Sequence, residues 1–151
     1  MTGIDHEARK RDVEAQEERL QFARFGFAEA YAIGQALVAA APAPIAIRID
    51  LAGRTLFSAA LDGTAPDNDV WLAMKFAAVR QFGRSTLWLH HHLRARGRTL
   101  AETISVHQPM ADHGGGFPIR IGGQVVGAIG VSGLPHEDDH RMIVDALEAR
   151  R

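Results

Sequence analysis

The last third of the chain constrains the fold most. His113-Gly114-Gly115-Gly116-Phe117-Pro118-Ile119 runs into Gly122-Gly123. Val125-Val126-Gly127-Ala128-Ile129-Gly130-Val131-Ser132-Gly133 then returns, and a helix opens at Pro135. A Gly-Gly pair between two apolar segments predicts a β-hairpin, because glycine reaches the positive φ that a tight turn needs. Strands joined this way pair antiparallel. The helix that follows, Pro135 to Glu148, needs a sheet face to bury its stripe of Met142, Ile143, Ala146 and Leu147.

The remaining elements agree. Ile45 to Leu51 is an alternating, isoleucine-rich strand, Ala52-Gly53 a turn, and Thr55 to Ala59 the returning strand. Residues 5 to 24 carry mixed charge with the i,i+4 pairs Asp5→Arg9 and Glu7→Arg11. They predict a solvated helix that docks on a partner subunit. Phe27, Ala30, Tyr31, Gly34, Leu37 and Val38 mark a second helix, ended by Ala41-Pro42-Ala43-Pro44. Pro66-Asp67-Asn68-Asp69 opens a third, with Trp71, Met74, Ala78 and Phe82 on one face and Gly83 as its end. Ser85 caps a fourth that runs to Gly97. Thr99 to Asp112 is the least legible stretch, with a short strand expected near Ile104 to Val106. The order predicts an α+β domain, a central antiparallel sheet with helices on both faces. The expected division is a charged helical extension over 1–24 and a single domain over 25–151.

Composition narrows the class. A chain of 151 residues fits one domain with a real core. Its net charge of −1 gives no global attraction to nucleic acid or membrane. Cysteine is absent, which excludes disulfides and thiolate chemistry. No apolar run reaches spanning length, and the charged first eighteen residues lack the apolar core of a secretory signal. The expected location is cytoplasmic.

Several constellations bear on chemistry. His136-Glu137-Asp138-Asp139-His140 has the H-E-x-x-H spacing of zinc proteases, but at a helix start, where the dipole alone explains the acids. We therefore expect no metal site. His90-His91-His92 lies mid-helix, where one partly buried and two solvated rings are expected. The other reading is an axial haem ligand or a transition-metal contact. His107 and His113 fall in loops, and His113 ranks first among the histidines because it overhangs three glycines. Gly114-Gly115-Gly116 reads either as a strand-entry turn or as a nest whose N–H groups hold an anion. Ser132-Gly133 lacks the nucleophile elbow of a serine hydrolase. Val70 to Ala101 contains no acidic residue, yet holds Lys75, Arg80, Arg84, Arg94, Arg96 and Arg98. That window suggests an anionic ligand or an acidic neighbouring subunit; the alternative is pairing with Glu102 or the acidic termini.

The segments Pro66-Asp67-Asn68-Asp69-x-Trp71 with Lys75, Gly116-Phe117-Pro118-Ile119, Gly127-x-Ile129-Gly130-Val131-Ser132-Gly133 and Asp138-Asp139-His140 together resemble the GlcG/HbpS-like (haem-degrading domain) proteins. Within them the chain is most similar to uncharacterised protein family 0303. The resemblance runs from about Phe25 to the C-terminus. It implies a profilin-like fold with a five-stranded antiparallel sheet between helical layers. It also implies homo-oligomers, and haem or a related tetrapyrrole as the ligand. The ligand-binding candidates are Asn68, Trp71, Lys75, Arg80, Arg84, His113, Gly114, Gly115, Gly116 and Ser132. The function expected is an oligomeric binding module for a small anionic or planar ligand, in sensing or storage. A haem- or metal-dependent redox enzyme, with His113 or His91 as ligand, and a scaffold for protein partners are the alternatives. Whether there is catalysis stays open.

Overall fold

The computed structural model describes residues 3–103 and 108–151. In chain order the elements are α1 (His6–Arg19), α2 (Phe27–Ala40), β1 (Ala46–Leu51), β2 (Arg54–Ala60), α3 (Pro66–Phe82), α4 (Thr86–Ala95), α5 (Leu100–Thr103), β3 (Gly116–Ile121), β4 (Gln124–Ser132) and α6 (His136–Glu148). The local signals act where the sequence puts them. The Ser85 hydroxyl accepts the Trp88 N–H at 3.2 Å and starts α4. Gly83, at φ 66°, takes the left-handed turn that ends α3. No helix among the described residues is long and apolar enough to cross a membrane.

The two hairpins interleave. Sheet order is β2-β1-β4-β3, antiparallel throughout, with Ile47 opposite Val131 and Phe117 opposite Ile129. The described residues thus form four strands, not the expected five. The fifth was expected at Ile104 to Val106, which lies outside the described residues. The free edge of β3 instead meets Phe22, whose N–H donates to the Arg120 carbonyl at 2.8 Å in a single parallel bridge.

Strand alternation sends each face to different helices. Ile47, Ile49, Phe117, Ile119, Ile129 and Val131 bury one face against Ile33 and Leu37 of α2 and Ile143 and Leu147 of α6. Each such side chain contributes about 1.5–3 kcal/mol when removed from water. On the other face α3 lays Phe76 and Val79 over Ala128. Gly130 makes that approach feasible, since a β-carbon there would stand 2.4 Å from the Phe76 ring. The sheet therefore has helices on both faces, as expected.

The N-terminal helix packs on its own chain. Val13 and Glu17 of α1 are buried, and the Trp88 indole N–H of α4 donates to Glu14 at 2.8 Å. Glu17 accepts from Arg120 at 2.7 Å and from the Ser85 N–H at 3.1 Å. A carboxylate so deep in the fold is tolerated because charged and backbone donors surround it.

Candidate functional site

A cleft of about 300 Å³ opens where β4 ends and α3 and α6 begin. The first three turns of α3 deliver Asp67, Asn68, Trp71 and Lys75 to it, positions that share one helix face. Ser132 comes from the last position of β4. Leu134, His136 and Asp139 come from the chain turning into α6, and His113 from the loop before β3. Gly133 permits that turn, because its β-carbon would meet the Pro44 carbonyl at 2.5 Å.

Lys75 and Asp139 form the buried floor. Lys75 Nζ donates to the Val131 carbonyl at 2.9 Å and to Asp139 Oδ2 at 3.2 Å, and both side chains are only 3% exposed. The other Asp139 oxygen accepts the Leu134 N–H at 2.9 Å. Burial pushes the Lys75 amine down against the pull of Asp139. Burial likewise pushes the Asp139 carboxyl up against Lys75.

Imidazoles form the wall beside it. The His113 ring packs against Trp71 at 5.7 Å, His136 at 5.2 Å and His90 at 5.8 Å between centroids. Its Nδ1 is 3.4 Å from Asp112 Oδ1 without hydrogen-bonding geometry. His90 Nδ1 bonds the Asp112 carbonyl at 3.0 Å; burial first, then Arg94, pushes its pKa down to about 4. His136 is lowered by burial and by His113. Behind them, His91 is 3.3 Å from Glu137 and 2.9 Å from His6 of α1.

Five of the candidates, Asn68, Trp71, Lys75, His113 and Ser132, thus line one cleft. The others do not join them as ligand groups. Arg80 follows Lys75 by five residues, about 140° around the helix, and points to the far end of the sheet beside Asp50 and Val125. Arg84 lies past the Gly83 break, stacked 5.0 Å over Trp88 and 3.4 Å from Glu17. Gly114, Gly115 and Gly116 lead into β3, and two of their three N–H groups are satisfied within the chain. The Gly114 N–H donates to His136 Nδ1 at 3.0 Å and the Gly116 N–H to Thr86 at 2.9 Å.

The other sequence readings resolve similarly. His90 and His91 are buried, contrary to the expectation of two solvated rings, because α1 and the Asp112–Gly114 loop cover α4 from two sides. His92 stacks on Trp88 at 4.4 Å. In the H-E-x-x-H segment, His136 accepts from Gly114 and His140 Nε2 donates to Gln16 at 2.6 Å, so the helix packs by these rings. His107 lies outside the described residues. Four of the six cations of the acid-free window are paired with acids outside it: Lys75 with Asp139, Arg84 with Glu17, Arg94 with Asp112 at 3.2 Å and Arg98 with Glu102 at 4.0 Å. Lys75 is therefore no free cation. The sequence reading missed Asp67, His136 and Asp139 as cleft residues. Asp139 stands 64 positions from its lysine, and only the Asp138-Asp139-His140 resemblance pointed to it.

The HbpS-like family, described as haem degrading protein HbpS-like, matches residues 25–148. The chain belongs to that family. Its HbpS-like relatives include a UPF0303 protein of Streptomyces coelicolor, 46% identical over 91% of this chain and 90% of that one. Another is a UPF0303 protein of Psychromonas ingrahamii, 36% identical over 95% and 94%. Among solved structures, the Ybr137w protein superposes with a TM-score of 0.82 at 27% identity, over 93% of this chain and 86% of that one. HbpS itself (TM-score 0.66, 23% identity, 86% and 92% covered) shares the fold. So does a PduOC:heme complex (0.69, 19%, 83% and 94%).

Proposed function

We propose that this HbpS-like chain is a ligand-binding module, and that its ligand, small and anionic or planar, enters the cleft between α3 and α6. The observation that carries this reading is the convergence of Asn68, Trp71, Lys75, His113 and Ser132, from three separate parts of the chain, on one concave site. The role that follows is sensing or storage.

Haem is the named candidate, through the family and the heme-bound structural neighbour. The residues fit it at two positions. His113 is a half-exposed imidazole lining the cleft, and it would be the residue to hold the iron. Trp71 offers a ring face beside it. Lys75 is held by Asp139 and is not free for a propionate. The cleft, at about 300 Å³, would hold part of such a group.

Haemin titration of the untagged chain, followed in the Soret band, tests this. A saturable, stoichiometric shift, weakened at least about tenfold by His113→Ala (about 1.4 kcal/mol), is expected. A non-saturating shift indifferent to that substitution overturns the haem reading. The same proposal takes residues 25–151 as the domain, with 1–24 as a helical extension. It also takes the assembly to be a homo-oligomer, which the exposed Phe27, Tyr31 and Val38 on α2 support.

A further inference from the structure

We propose that Lys75 is a reactive amine, and that the cleft takes a small aldehyde or ketone whose carbonyl carbon forms an imine with Lys75 Nζ. This rests on the cleft reading above and deepens it by naming a substrate class.

Three observations carry it. Among seventeen cationic residues only Lys10 and Lys75 are lysines. Arginine keeps its proton in any protein site, whereas a buried lysine can release it and become a nucleophile. Lys10 sits on α1 in an i,i+3 pair with Glu7, while Lys75 is the lysine that lines a cleft.

Second, the ammonium has three donors but only two acceptors, the Val131 carbonyl and Asp139, among the described residues. Glycine main chain passes directly beside it. Gly115 sits at φ 120°, and a β-carbon there would stand 2.6 Å from Nζ.

Third, the partner is a buried carboxyl. Desolvation disfavours the charged form of both groups, lowering the Lys75 amine and raising the Asp139 carboxyl toward the neutral pair, free amine beside carboxylic acid, against their mutual attraction. That pair is what imine formation needs.

The step balances without any oxidant or reductant. The Nζ lone pair attacks the carbonyl carbon and forms the C–N bond, while the C=O π pair moves to oxygen. The Asp139 carboxyl gives that oxygen its proton, and the resulting carboxylate takes a proton from nitrogen to leave a carbinolamine. Asp139 then protonates the hydroxyl, which departs as water. The products are a protonated imine paired with the Asp139 carboxylate. Trp71 walls one side of the bound compound, and the Ser132 hydroxyl and Asn68 amide stand at the cleft for its oxygen substituents.

Borohydride trapping tests this on the full untagged chain. The protein is incubated with pyruvate or with glycolaldehyde, reduced, digested and mapped by mass spectrometry. The expected result is an adduct on Lys75 at least about tenfold above Lys10 in the same sample, lost in Lys75→Arg. Asp139→Asn, which keeps the amine but removes the acid, should slow trapping by about tenfold. Labelling of Lys75 no stronger than that of Lys10, with both compounds, overturns the proposal. The ratio is read on the wild-type chain, so it stands even if the variants fail to fold. Saturable haemin binding without an adduct removes the amine chemistry and leaves the cleft as a binding site. An adduct without haemin binding does the reverse.

Discussion

His140 is sealed between Phe117 and Gln16, with its Nδ1 unpartnered. Burial, the dominant cause, takes its pKa from 6.5 to about 3. Between those values an unfolded chain binds a proton that the folded chain refuses. Stability from this group is therefore complete above about pH 6.5 and falls as pH drops toward 3, by up to about 1.4 kcal/mol per unit. His90, lowered to about 4, acts in the same direction. Urea unfolding at about pH 7 and about pH 5 should show a loss of about 2 kcal/mol from His140 alone. His140→Gln should flatten that difference; an unchanged slope would show that the ring is not held neutral. Gly130 is a second sensitive position. Gly130→Ala forces the Phe76 ring to move and should cost about 1–3 kcal/mol. A urea midpoint equal to wild type would contradict this packing.

At the scale of elements, the α1–α4 contact matters most. Glu17 holds Arg120, Arg84 and the Ser85 N–H together beneath α1. Removing the buried carboxylate leaves the Ser85 N–H unpaired and the Arg120 charge uncompensated, so Glu17→Ala should cost about 3–5 kcal/mol. Trp88, whose indole N–H donates to Glu14, reports the detachment. In a Trp71→Phe background its emission should shift red and quench more readily in Glu17→Ala. Emission unchanged from the parent would mean that α1 stays docked without the carboxylate. The helices themselves were legible because their punctuation is local: Ser85, Gly83 and Pro66 act within one turn. The docking of α1 was not, because Val13 and, just past the helix end, Leu20 make no helix-long stripe. Its burial comes from polar contacts that no periodicity records.

For the whole molecule, the α2 surface bears on assembly. Phe27 is 63% and Tyr31 46% exposed, stacked on each other at 5.6 Å. If this patch joins copies, Phe27→Ser with Tyr31→Ser should slow sedimentation to that of a single chain while circular dichroism stays native. Sedimentation equal to wild type would place the assembly surface elsewhere. The candidate site was half legible. Trp71, Lys75 and His113 could be named because a helix start and a glycine-flanked loop each make a recognisable local pattern. Arg80 and Arg84 were drawn in by a charge count along the chain, which does not register helical phase or partners far away in sequence.

The sequence by itself determined the two hairpins, the helices that flank them and the α+β class. These depend on glycine and proline at turns and on apolar spacing, which act over a few residues. It also carried the family resemblance. Tertiary structure decided what could not be local. It interleaved the hairpins so that β1 lies against β4. It turned α1 inward onto α4, and it set Lys75 against Asp139 across 64 positions. A buried charge is stable only beside its counter-charge, and which residues meet there depends on how the sheet is ordered and the helices are packed.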